Sequence, residues 1–115
     1  MKNSILYAPA ARRDLEKIRD YIAQELLNPD AAERTVSGIL DAAAQLEELA
    51  FLGTPLSSVT GVESGYRFLV SGNYLVFYRI KGRDVLIDRV LYGRRNYLRV
   101  LFREFQGERE KPFDG

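Results

Sequence analysis

The sequence predicts an α+β domain: an N-terminal strand and an antiparallel two-helix hairpin packed on a mostly antiparallel, four-stranded sheet. Three observations predict it. Apolar residues recur at three- and four-residue steps through two long stretches, 9–27 and 29–50. Three aromatic and β-branched runs then crowd into residues 66–92, parted only by Ser71-Gly72-Asn73 and Lys81-Gly82-Arg83-Asp84. The chain has 115 residues, 46% of them hydrophobic, which suits one core that hides roughly two-thirds of the unfolded surface.

Residues 2–7 alternate weakly in polarity and stop at Ala8-Pro9, so they read as a short strand leading into a helix whose first turn tolerates proline. Leu15, Ile18, Ile22 and Leu26 give the first helix its apolar stripe, with Arg12, Glu16, Arg19 and Asp20 on the other faces. Asn28-Pro29-Asp30 ends that helix and can start the next, with Asn28 as the cap and Pro29 in the first turn. Val36, Ile39, Leu40, Ala43, Leu46 and Leu49 form the second stripe. So short a link forces the two helices antiparallel. Residues 51–65 hold Gly53, Pro55, Gly61 and several serines without periodicity, and read as a loop crossing to the sheet. Strands are expected at 66–70, 74–80 and 85–92, joined by tight hairpins. Residues 1–102 form the predicted domain, and 103–115 lose periodicity, fill with charge and are expected to be a mobile tail.

Composition excludes much chemistry. The absence of cysteine and histidine removes disulfides, thiol catalysis, imidazole ligands and the commonest general base near neutral pH, so no metal and no cofactor are expected. No apolar run approaches the roughly 20 residues of a membrane span, and the N-terminus lacks a secretory pattern, so a cytoplasmic protein is expected.

The net charge of +1 conceals a sorted distribution. Residues 1–64 carry six basic and ten acidic side chains. Residues 65–103 carry nine basic and two acidic, and eight of those nine cations are arginine. A block this rich in planar guanidinium groups suits phosphate or an acidic protein, and a solvated sheet edge decorated with charge is the plainer alternative. The middle strand adds a second hint. Tyr74, Leu75, Val76, Phe77 and Tyr78 are apolar on both faces, yet two helices cover only one. Either a partner protein shields the second face or the chain's own C-terminal residues, including Leu101 and Phe102, fold back over it.

A joint pattern runs along the chain: Tyr7-Ala8, Asp14-Leu15 with Ile18, Tyr21-Ile22, Asn28-Pro29 with Ala31-Ala32, Pro55-Leu56, Tyr66-Arg67, Gly72-Asn73-Tyr74 with Tyr78, and Val90 before Gly93-Arg94-Arg95. Over residues 3–102 this resembles the RelE/ParE superfamily of toxins from type II toxin-antitoxin modules. The resemblance implies a plasmid-stabilisation type of toxin neutralised by an antitoxin segment that wraps the sheet and the helical hairpin. Leu75, Phe77, Leu101 and Phe102 are the residues expected to meet it.

Two chemistries occur in such a superfamily. RelE-like members are ribosome-dependent mRNA endonucleases with basic residues on the first two hairpin strands, an arginine after the third and often a C-terminal tyrosine. In this sequence Arg67 and Arg95 match the first and third requirements, with Tyr97 as a possible acid or stacking residue beside Tyr92. Leu69 and Leu75 stand where further cations are expected, and Glu63 is the nearest carboxylate that would serve as base. Cutting RNA through its 2′-hydroxyl needs a base, cations for the developing phosphorane charge and an acid, and arginine supplies only the second well. ParE-like members poison DNA gyrase, lack a nuclease site and carry a longer helical hairpin. The sequence favours that branch, with Arg67, Arg79, Arg89, Arg94, Arg95 and Arg99 as a functional basic surface. The ribonuclease reading is the alternative, and a non-toxic basic adaptor or nucleic-acid-binding domain is the third.

Overall fold

The computed structural model describes residues 2–93. Strand β1 (Ser4–Tyr7) leads into helix α1 (Pro9–Asp20), which loosens into a π turn at Tyr21–Glu25. Helix α2 (Pro29–Ala44) returns and tightens into a 3₁₀ turn at Gln45–Glu47. A two-residue strand β2 (Thr54–Pro55) and a single helical turn α3 (Ser57–Thr60) occupy the crossover. Strands β3 (Arg67–Ser71), β4 (Tyr74–Lys81) and β5 (Asp84–Tyr92) complete the domain.

The α+β class, the helical hairpin and the antiparallel β3–β4–β5 meander are as the sequence predicts. The sheet itself has five strands in the order β1-β5-β4-β3-β2, and it is mixed because β1 runs parallel to β5. The fifth strand escaped notice because Thr54 and Pro55 are too few to show a period, and only their pairing with Phe68 and Arg67 makes them a strand. The start of α2 follows the capping rules closely. The Asn28 side chain accepts a hydrogen bond from the Ala31 N–H at 3.1 Å, Pro29 opens the helix and Asp30 faces the positive end of its dipole.

The stripes need a correction, mainly at their ends. Ile22, Val36, Ile39, Ala43 and Leu46 are buried, but Leu26, Leu40 and Leu49 are exposed. A π turn has more residues per revolution than an α-helix, so from Tyr21 onward the spacing that put Leu26 in line with Ile22 no longer holds. The 3₁₀ turn does the same to Leu49 at the other end.

Two cores sandwich the sheet. On the helix side Ala11, Ile39, Ala43 and Leu46 pack on Val76, Tyr78, Val85, Ile87 and Val90. On the opposite side Leu75, Phe77 and Phe68 pack with Leu56, against Val59, Tyr66 and Leu91. The crossover therefore covers the second face, which neither of the two expected shields had included. Between Phe77 and Tyr78 the pairing with β5 slips by one residue, so that Phe77 opposes Arg89 and Tyr78 opposes Ile87. This bulge leaves Asp88 as the extra residue and re-aims its neighbours. β1 is tied to the end of the hairpin, where Asn3 donates through its backbone to the Glu47 carbonyl at 2.8 Å and through its amide to that of Leu46 at 3.0 Å. Among the described residues no helix is long and apolar enough to cross a membrane.

Candidate functional site

Three of the predicted basic residues lie on the described sheet, and each is engaged within the fold. Arg67, at the start of β3, donates from Nη1 to the Gly53 carbonyl at 2.6 Å and lays its guanidinium over the Phe51 ring, 4.9 Å from the centroid. Its cross-strand neighbour Tyr78 is fully buried. The Tyr78 hydroxyl donates to the Ala50 carbonyl at 2.8 Å and accepts from the Gly53 N–H at 2.9 Å. Burial pushes this phenol above its ordinary range, while the Gly53 N–H and the Arg67 charge oppose the rise. Arg67 and Tyr78 together clasp the crossover to the sheet. A side chain at position 53 has no room, because a Cβ there would stand 2.6 Å from the Tyr78 hydroxyl and 2.8 Å from the Phe68 carbonyl.

The bulge arranges the other two. Arg79 on β4 pairs with Asp88 at 2.7 Å and reaches over the Tyr66 ring at 5.4 Å, and the Asp88 hydrogen bond raises the arginine further above its already high range. Arg89 forms a two-point bond with Asp14 of α1, Nε at 2.8 Å and Nη2 at 3.0 Å. The same Asp14 oxygen accepts from the buried Val90 N–H at 2.9 Å. Asp14 is the only buried charged side chain among the described residues, so it locks α1 to β5. Sequence reasoning passed it over, although a carboxylate three residues after buried Ala11 on an amphipathic helix is a sign of a buried partner.

The nuclease requirements meet a poor reception. Leu69 packs against the helix-side core and Leu75 is fully buried on the other face, so apolar contact occupies both positions where cations were sought. Glu63 is exposed in the crossover. Tyr74 and Tyr92 meet edge to face at 5.6 Å, and burial raises the Tyr74 phenol, with Tyr92 and Tyr21 nearby adding to the rise. Leu75 and Phe77, expected to meet an antitoxin, are covered by the chain's own crossover. Exposed Val70 and Tyr92 lie on the strands beside them. Arg94, Arg95, Tyr97, Arg99, Leu101 and Phe102 lie outside the described residues, as does the 103–115 tail. Among the described residues no cluster of acidic side chains is arranged to hold a metal.

The tip of the helical hairpin is the other notable place, and sequence reasoning had placed its Leu26 in the apolar stripe. Tyr21, Leu26 and Leu27 are 55%, 56% and 83% exposed. Leu27 has φ +52°, the left-handed region, and is the only described residue other than glycine to do so. Arg19 bridges to Glu33 across the hairpin at 3.4 Å just inside this tip. Residues 20–30 contain Asp20, Glu25 and Asp30 and no cation.

Comparison with known proteins places this arrangement. Residues 5–97 match the family model described as the ParE toxin of the type II toxin-antitoxin system parDE. Among solved structures, the chromosomal ParDE system from P. aeruginosa aligns with a TM-score of 0.68 at 24% identity, covering 81% of this chain and 98% of that one. The toxin-antitoxin complex RelBE2 from Mycobacterium tuberculosis aligns with a TM-score of 0.58 at 21% identity, covering 80% and 99%. No curated protein matches the sequence significantly.

Proposed function

The chain belongs to the ParE toxin family of type II toxin-antitoxin systems, and from that premise we propose that it arrests growth by inhibiting DNA gyrase in the cytoplasm. The observation that carries the choice of target is the state of the sheet. Arg67 and Arg89 are occupied in holding the fold, Arg79 is paired with Asp88, and Leu69 and Leu75 fill the positions where a ribonuclease needs cations. General acid-base catalysis contributes about 10² to 10⁴-fold, and a preorganised charge contact about 10² or more, so a site lacking several of these groups cleaves slowly at best. The length of the hairpin, from Pro9 to Glu47, supports the same branch.

A cognate antitoxin completes the proposal. Its support is the pairing of toxin with antitoxin in both structural neighbours, and the arginine excess after residue 65, which calls for an acidic segment. Arg94, Arg95, Arg99, Leu101 and Phe102, with exposed Val70 and Tyr92 on the strands beside the covered Leu75 and Phe77, are its proposed seat. Induced expression in bacteria, with the DNA-damage response and mRNA integrity followed together, tests the target. Growth arrest with DNA damage and intact mRNA is expected. Codon-specific mRNA cuts without DNA damage would replace the gyrase reading by the ribonuclease one.

A further inference from the structure

The hairpin tip contradicts the interests of the fold. Leucine is among the residues least suited to the left-handed region, where glycine or asparagine sits without penalty, yet Leu27 adopts it and offers its side chain to solvent. Tyr21 and Leu26 flank the π turn, closed by the Leu26 N–H donating to the Tyr21 carbonyl at 3.2 Å, and are also mostly exposed. Such turns and backbone strain persist where something other than folding selects them. The apolar surface does not end there. At the end of the sheet a second aromatic surface is exposed, where Tyr74 meets exposed Tyr92 edge to face at 5.6 Å. Asp20, Glu25 and Asp30 are exposed, and no lysine or arginine falls between residues 20 and 30; the flanking Arg19 is paired with Glu33, and Arg34 lies on the first turns of α2.

Resting on the proposed function, we infer that this acidic, apolar tip is the surface that grips the target, and that it fits a basic protein surface with an apolar pocket for Leu26 and Leu27. A topoisomerase presents basic surfaces of that kind where it holds DNA, and an acidic projection competes there by the same charge complementarity. The molecule is thereby divided: the arginine-rich end faces the antitoxin and the carboxylate-bearing tip faces the target.

The test uses the full chain with Tyr21→Ser, Leu26→Ser and Leu27→Asn combined, in a gyrase supercoiling assay, a growth-arrest assay and a binding assay with its cognate antitoxin. The concentration for half-inhibition should rise about tenfold or more, as when a contact hot spot is removed, with antitoxin binding retained. Leu27→Asn alone controls for folding: it should raise the melting temperature by a few degrees while weakening inhibition, a combination that damage to the fold does not produce. Asp20→Asn with Glu25→Gln should weaken inhibition and flatten its dependence on salt. Full potency in the folded triple variant would overturn the inference, as would loss of antitoxin binding or a change of oligomeric state with inhibition intact. Should the parent chain arrest growth without affecting gyrase, the gyrase reading fails by itself, and undiminished growth arrest in the triple variant would separately sink the tip.

Discussion

Where the crossover and α1 meet the sheet, a single phenol answers two backbone groups, one arginine closes on a carbonyl and a ring, and one buried carboxylate on α1 receives three hydrogen bonds. At the hairpin tip three large apolar side chains face water and the backbone takes a conformation that leucine disfavours. The first region is consistent at every level, with sequence, packing and hydrogen bonding in agreement. The second violates local rules, and its three large apolar side chains stay exposed among the described residues. In a protein whose net stability is a small difference between large quantities, such a violation marks a place under selection for something other than folding.

That contrast can be broken by measurement, beginning with the largest effect. Asp14→Ala removes the acceptor of two guanidinium bonds and of the Val90 N–H, and should destabilise by about 2–3 kcal/mol in urea denaturation. A cost near zero would mean that α1 is held to β5 by packing alone. Gly53→Ala comes next, at about 1–3 kcal/mol, because the new Cβ meets both a buried hydroxyl and a backbone carbonyl that cannot both retreat. Tyr78→Phe should cost about 1–2 kcal/mol, since Ala50 and Gly53 each lose a partner. Arg79→Ala, by contrast, should change stability by less than about 0.5 kcal/mol, its ion pair being exposed on the arginine side. If Arg79 proved as costly as Asp14, the distinction between locked and solvated cations would fail.

A pH titration sharpens the same region. Tyr7, Tyr74 and Tyr78 are all raised from the ordinary phenol value of 10.0, chiefly by burial. A raised phenol holds its proton more tightly folded than unfolded, so its contribution is complete below pH 10 and is lost as the pH climbs toward the folded value. Denaturation midpoints should therefore fall with rising pH above about 10, and Tyr78→Phe should make that fall shallower. A slope unchanged by the substitution would place the loss on other groups.

The parts legible in the sequence were those governed by local rules. The Asn28-Pro29-Asp30 link, the tight turns between β3, β4 and β5 and the unalternating Tyr74–Tyr78 run all follow from side chains near in sequence. What escaped depends on contacts distant in sequence. β2 exists only because β3 pairs with it, the second face of β4 is covered by Leu56 and Val59 from a segment without periodicity, and Asp14 finds its partner 75 residues away. The arginines read as one basic surface are divided by the bulge, Arg79 going to Asp88 and Arg89 to Asp14. Leu26 was assigned to the core because a regular helix would have placed it there, and one π turn was enough to expose it.

The most direct test of the central claim is a supercoiling titration: relaxed plasmid and gyrase with increasing amounts of the purified chain, beside programmed ribosomes receiving the same amounts. Gyrase should stall while ribosome-bound mRNA stays whole, because Arg67 and Arg89 are locked in the fold, Arg79 is paired with Asp88 and leucines stand where a nuclease needs charge. Undisturbed supercoiling together with specific mRNA cuts that vanish on Arg95→Ala would contradict it.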